Sequence, residues 1–277
     1  MGWVFFPAHV SEAARNKRRN QRTPRRLLLR AGSASARPWT VPTWWVNTVI
    51  AIFLLPVAGL LTQTLFTSFH RAAAQHAFWA TEEFWFFSLG AIVWVLAFLG
   101  SIWVSGEPRP VRVYVFGHEL THAIWVWAMG GRVSQFKVRR EGGYIVTNKH
   151  NFWIALAPYF YPVYSILVIF LYGVASLFYN LAPYTSVLFG LLGLTWAFHL
   201  SFTLWMIPKG QSDLSYHGTI FSLVVIYLMN VLVLSALLIV AAPEVTVSVF
   251  GHDLLGNAED LSAWLWDLLR KLAERWQ

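Results

Sequence analysis

"VYVFGHELTHAIWVWAMGG", residues 113–131, is apolar almost throughout, yet it holds His118, Glu119 and His122 within about a turn and a half of helix. Positions i and i+4 share a helix face, so the imidazoles of His118 and His122 can reach one metal ion. Glu119, one residue on from His118, can hold a water and take its proton. The same spacing arises by chance in soluble helices, so the surroundings matter. An ionisable group at mid-bilayer costs a few kcal/mol or more, and three placed together favour a working site over a hydrogen-bonded cluster that only joins helices.

The rest of the chain supplies that membrane setting. Of 277 residues, 57% are hydrophobic and 12% charged, about half the usual charged share of a soluble domain. Sixteen Trp add to an apolar surface that a soluble fold of this size could not hide. A polytopic membrane protein follows. With no Cys, disulfides and thiolate metal sites are excluded, and any metal must sit on His, Asp or Glu. The formal charge is +8, and nine of the 21 Lys and Arg lie between Arg15 and Arg37. Without an aromatic stacking platform or a nucleic-acid motif, this cluster reads as a topology-setting tail on anionic lipid, with no nucleic-acid partner.

Charge-free runs of about 20 residues mark the spans. They fall at 44–67, 84–104, 113–129 and 218–241, and the uncharged region between Lys149 and Lys209 holds two more, broken at "NLAPY", 180–184. That predicts about six transmembrane helices. Between the third and fourth, alternation in "RVSQFKV" and "YIVT" around "EGG" predicts a small, basic β-hairpin. Residues 257–277 predict an amphipathic helix on the membrane or on the protein, capped by Asn257, with Leu261, Trp264, Leu265, Leu268, Leu269, Leu272 and Trp276 on one face. The chain thus divides into a basic tail (1–43) with no expected cleavable signal, a membrane domain (44–241) and an amphipathic segment (242–277). The fold class is an all-α polytopic membrane protein.

A catalytic zinc takes three protein ligands and keeps one place open. Asp213, in "PKGQSDLSYHGTIFSLVV" just before the last span, stands out as the third ligand. It also reads as an acid in the first turn of a helix. His199 and His217 are rivals, and Glu141, Glu244 and Asp253 are poorer ones.

"GHELTHA" on a transmembrane helix, followed by "GG" and a basic hairpin, resembles the site-two protease class of intramembrane metalloproteases, peptidase family M50. "GQSDLSYHG" resembles the segment that carries that family's aspartate ligand, and the similarity covers roughly residues 110–241. The resemblance implies that His118, His122 and Asp213 bind Zn²⁺ and that Glu119 is the catalytic acid/base. It also implies that the hairpin around 132–147 lies beside the site and helps present substrate. Where better-known members carry Asn-Pro-Asp-Gly or Leu-Asp-Gly, this chain has Gln211-Ser212-Asp213-Leu214, with glycine only at Gly218, and no inserted PDZ domain.

The implied activity is zinc endopeptidase cleavage of membrane-protein substrates in or near their spans. Two other readings stand beside it: a membrane zinc protease of another family with a Glu ligand, and an inactive relative that binds membrane helices. His199, Asn230, Tyr159, Tyr161 and Tyr164 are candidate oxyanion helpers, each weighed against an ordinary interhelical hydrogen bond. With six spans, fourteen Lys and Arg share the side of the N-terminus and seven the other, which puts the hairpin outside. The family places hairpin and zinc toward the cytoplasm. The absence of Cys and the basic tail fit a prokaryotic cytoplasmic membrane, and the sequence leaves the oligomeric state open.

Overall fold

A computed structural model of the chain describes residues 3–4, 43–74, 77–139 and 142–275. The basic cluster from Arg15 to Arg37 and Glu141 lie outside the described residues. The helices, in chain order, are α1 (Thr43–Ala74), α2 (Glu82–Ser105), α3 (Val111–Ala128), α4 (Phe152–Leu156), α5 (Val163–Ser176), α6 (Thr185–Met206), α7 (Ser212–Tyr216), α8 (Thr219–Ala241) and α9 (Val247–Glu274). A single turn at Ala77–Ala80 joins α1 to α2.

Four of these stretches are long and apolar enough to cross a membrane: α1, α2, α6 with its flanking turns (Ala182–Lys209), and α8. At 1.5 Å per residue the 24 residues of α2 extend about 36 Å, more than the ~30 Å hydrocarbon core. A fifth crossing results if Phe152–Tyr159 and Val163–Ser176, bent by 80°, act as one. The short motif helix α3 is not among these spans. On α2, Trp85, Leu89, Ile92, Leu96, Leu99 and Trp103 repeat every three or four residues and are all more than half exposed. In water each such side chain would forfeit about 1.5–3 kcal/mol of burial, whereas in lipid it is solvated.

The tightest helix pair is α2 against α6. A Cβ at Gly193 would stand 1.9 Å from the Phe87 carbonyl oxygen, and one at Gly90 would stand 2.0 Å from that of Gly190. Only glycine permits backbones this close, the device that associates helices in lipid. Gly193→Val is therefore expected to cost about 2–3 kcal/mol, lowering Tm by roughly 4–12 °C in detergent-solubilised protein followed by circular dichroism. Beside the contact, Trp94, Phe98, Phe198 and Phe202 form an aromatic wall. Phe202 stacks on Tyr114 of α3 at 4.7 Å and 9° between planes. The α2–α6 pair thereby braces the motif helix.

On the other flank α1 packs against α8 and α9. The C-terminal helix starts ten residues earlier than predicted, with Thr246 accepting from the Val249 N–H. Asn257 is thus inside α9, not its cap. It donates to Thr64 Oγ1 (3.1 Å) and accepts from Gln63 Nε2 (3.2 Å), while Asp253 accepts from Ser68 (2.9 Å) and pairs with Arg71. These polar pairs, of which Asn257–Thr64 is buried, dock the first half of α9 antiparallel along α1. The second half carries Trp264, Leu265, Leu269 and Leu272 of the predicted face exposed, and Trp276 lies outside the described residues.

After α3 comes the expected hairpin, β2 (Val133–Arg139) and β3 (Gly142–Thr147), and a two-residue strand, β1 (Trp3–Val4), joins it. The order is β1-β3-β2, all antiparallel, with the described residues of β1 pairing with Val146 and Thr147 of β3. Gly143, Ile145 and Thr147 of β3 face inward. Ile145 packs on Val126 of α3 and Ile154 of α4, which presses the hairpin onto the motif helix.

Candidate metal centre

The motif helix ends abruptly. Gly130 has φ 73°, its N–H bonds the Trp127 carbonyl, and the Gly131 N–H bonds that of Val126 (2.7 Å). This Schellman arrangement explains the "GG" of the opening stretch: one glycine takes the left-handed turn and the other packs where a Cβ would meet Val126 and Lys149. The chain then reverses into the hairpin beside the same helix.

Asp213 arrives from the opposite direction. The turn Ile207–Lys209 ends α6, Gly210 takes φ 70°, and the short α7 follows. Ser222 of α8 pins α7 by donating to the Leu214 carbonyl (2.9 Å). Asp213 Oδ2 then lies 3.2 Å from His118 Nε2 and 3.6 Å from His122 Nε2, with all three side chains nearly enclosed. One donor atom from each residue falls within 4.8 Å of the others. Ligands at ~2.0–2.1 Å around a tetrahedral ion stand about 3.3 Å apart, so a divalent zinc fits between them. Two imidazoles and a carboxylate suit that metal and leave a fourth position for a reactant.

The outer contacts orient this set. His122 Nδ1 is 2.7 Å from the Ile154 carbonyl, which can only accept, so Nδ1 carries a proton and Nε2 is the nitrogen turned to the cluster. Asn151 caps α4 by accepting from the Ile154 N–H (2.9 Å), which steadies that carbonyl. Tyr159 O–H donates to Asp213 Oδ2 (3.3 Å), and Tyr114 O–H lies 3.3 Å from His118 Nδ1. Burial would raise the Asp213 carboxyl, but the two imidazoles outweigh it and hold the group below the usual carboxylate range. It is therefore an anion ready for a cation.

Glu119 is buried, and its Oε2 has no hydrogen-bond partner. A carboxylate oxygen left so is costly unless a reactant or water serves it. Gly143 makes room for it, because a Cβ there would lie 2.5 Å from Glu119 Cγ and 2.8 Å from Oε1. Gly143→Ala is expected to keep the fold and the metal while displacing the carboxylate. Displacements near 1 Å cost about a hundredfold in rate, which kcat/KM of the zinc-loaded variant would register. His118, Glu119, His122, Gly142, Gly143 and Asp213 are among the residues lining one cavity.

The rival ligands stand elsewhere. His217 stacks on His150 (5.5 Å, 9° between planes) and its carbonyl accepts from Asn47 of α1. Burial, then the neighbouring His217, pushes His150 down to about 4, so this imidazole is neutral at neutral pH and does not repel a cation. Glu244 sits at the turn between α8 and α9, and Asp253 belongs to the α1 contact. Among the described residues no glutamate joins the three donors. Asn230 donates to the Tyr159 carbonyl (3.0 Å), and Tyr164 O–H donates to that of Val113 (2.5 Å). Sequence reasoning missed Gly143, for which "EGG" signalled only a turn, and the Ile154 carbonyl, which no side-chain pattern can mark.

Compared with protein-family models, curated proteins and solved structures, the chain matches none. The likeness rests on the site: a buried His118-Glu119…His122 pair with Asp213, set among apolar membrane helices, matches the HExxH-plus-aspartate architecture typical of M50-type intramembrane zinc proteases.

Proposed function

We propose that this chain is an intramembrane zinc endopeptidase, with His118, His122 and Asp213 as metal ligands and Glu119 as acid/base. The observation that carries the reading is the convergence of those three donors beside a buried carboxylate that lacks a partner. Bound there, zinc supplies Lewis-acid polarisation of the scissile carbonyl and brings the pKa of water to about 7. Glu119 takes the proton of the attacking water and returns it to the departing amine. Tyr159 and the Ile154 carbonyl keep Asp213 and His122 in place.

A substrate helix must first unwind, because its carbonyls are hydrogen-bonded and shielded. Strand β3 of the hairpin suits pairing with the substrate's exposed edge by β-augmentation. Gly143 on that strand touches Glu119, so a peptide laid there runs past the acid/base. The same reading counts α3 and the bent α4–α5 pair as membrane-embedded, six crossings in all, in a prokaryotic cytoplasmic membrane.

The test is cleavage of a single-span reporter by the full chain in vesicles. Chelation is expected to stop turnover and added Zn²⁺ to restore it. A zinc-loaded chain that binds such helices without cutting any would favour the inactive-relative reading.

A further inference from the structure

The metal cavity has a charged rim. Gly142 and Gly143 of the hairpin wall it on one side, and Met206, Gln211 and Ser212, at and after the end of α6, on another. An apolar cluster holds these elements together and includes Val111 of α3, Val138 of β2, and Trp205 and Met206 of α6. Cations stand beside its members in the chain: Arg109 and Arg112 at the start of α3, Lys137 and Arg139 on β2, and Lys209 after α6.

All five are exposed. Val138 turns into the cluster, so by the two-residue alternation of a strand Lys137 and Arg139 turn away from it. Arg139 pairs with Gly142 of the cavity wall. Lys137 Nζ is 6.0 Å from the centre of the Tyr144 ring, and Lys209 Nζ is 4.4 Å from that of Trp205, so each ammonium is held beside its own wall. Among the described residues no ion pair includes any of the five. The acids nearest them in the chain are Glu107, exposed before Arg109, and Glu141, outside the described residues. A cleft rimmed by one sign of charge attracts the other sign. Exposed ion pairs are individually weak, so selection falls to several acting together. Lipid headgroups are anionic too, but these cations stand on both walls of the cleft that leads to the metal, in the path of a peptide being cut.

We infer that this rim binds an acidic flank of the substrate, an Asp/Glu run beside the cleaved span where the chain leaves the cleft past Arg139 and Lys209. The inference rests on the peptidase reading and names its substrate class.

The test uses Leu/Ala single-span reporters with a central Asn-Gly, flanked at one end or the other by matched Asp/Glu, Asn/Gln or Lys/Arg runs. Cleavage is measured with the full chain in phosphatidylcholine vesicles, and affinity with a Glu119→Gln chain by energy transfer. At one end the acidic run is expected to raise kcat/KM over the neutral run by roughly tenfold at low salt, through KM. That lead should vanish at ~1 M salt, where charges are screened within about 3 Å. A chain carrying Lys137→Glu, Arg139→Glu and Lys209→Glu is expected to prefer the Lys/Arg run at that end, with zinc content unchanged. The wild-type ratios stand even if that variant fails to fold. Equal rates and affinities for every run overturn the rim and leave the peptidase intact, as does an acidic preference that the reversed chain keeps. An equal gain for every reporter on adding phosphatidylglycerol, with no preference among runs, assigns the cations to lipid and also overturns the inference. An acidic preference in affinity with no reporter cut leaves the rim and removes the peptidase.

Discussion

A Glu119→Gln chain is expected to hold one zinc ion and to lose at least ~10²–10⁴-fold in cleavage rate. The exchange keeps the shape of a side chain packed against Gly143, where a larger change would collide with β3. It leaves the three donors untouched. What disappears is the lone pair that accepts the proton of water, since a carboxamide is not basic at neutral pH. The measurement pairs zinc per chain with the turnover of a single-span reporter. Equal cleavage by the variant would remove Glu119 from the mechanism. Loss of zinc together with activity would instead assign Glu119 to the metal.

Asp213→Ala is expected to strip the metal. The variant keeps two imidazoles on one helix face and deletes the anion that α7 brings to them. Even the loss of an outer contact to a ligand lowers metal affinity by about 10–100-fold. Loss of a ligand should exceed that, so zinc should fall from one per chain to near none after dialysis. The Tyr159 hydroxyl would lose its acceptor, at a cost of about 1–3 kcal/mol. Asp213→Asn restores an acceptor without the charge and separates folding from ligation. Zinc retained by both variants would leave the His pair standing and exclude Asp213 as the third ligand.

Both experiments turn on residues of unequal visibility in the sequence. His118, Glu119 and His122 could be read directly, because one helix fixes their relative placement whatever surrounds it. The spans could be read from charge-free runs, because lipid admits no unpaired charge and demands about 20 residues. The hairpin followed from alternation around "EGG", and the apolar face of the C-terminal helix from its 3.6-residue period.

Other features depended on which elements meet. Asp213 lies 95 positions from His118, and only the Gly210 turn and the Ser222 anchor aim it at the motif. His217, a rival by position, turns to His150 instead. Asn257 looks like a helix cap until α1 supplies Thr64 and Gln63 as partners. The carbonyl that sets the His122 tautomer and the space that seats Glu119 come from backbone, which carries no residue signature. The sequence by itself determined a membrane protein with a histidine pair spaced for a metal on one helix, since those depend on local spacing and on solvent. The tertiary structure alone brought Asp213 to the two histidines and seated Glu119 against Gly143, since each requires groups far apart in the chain to share a few ångströms.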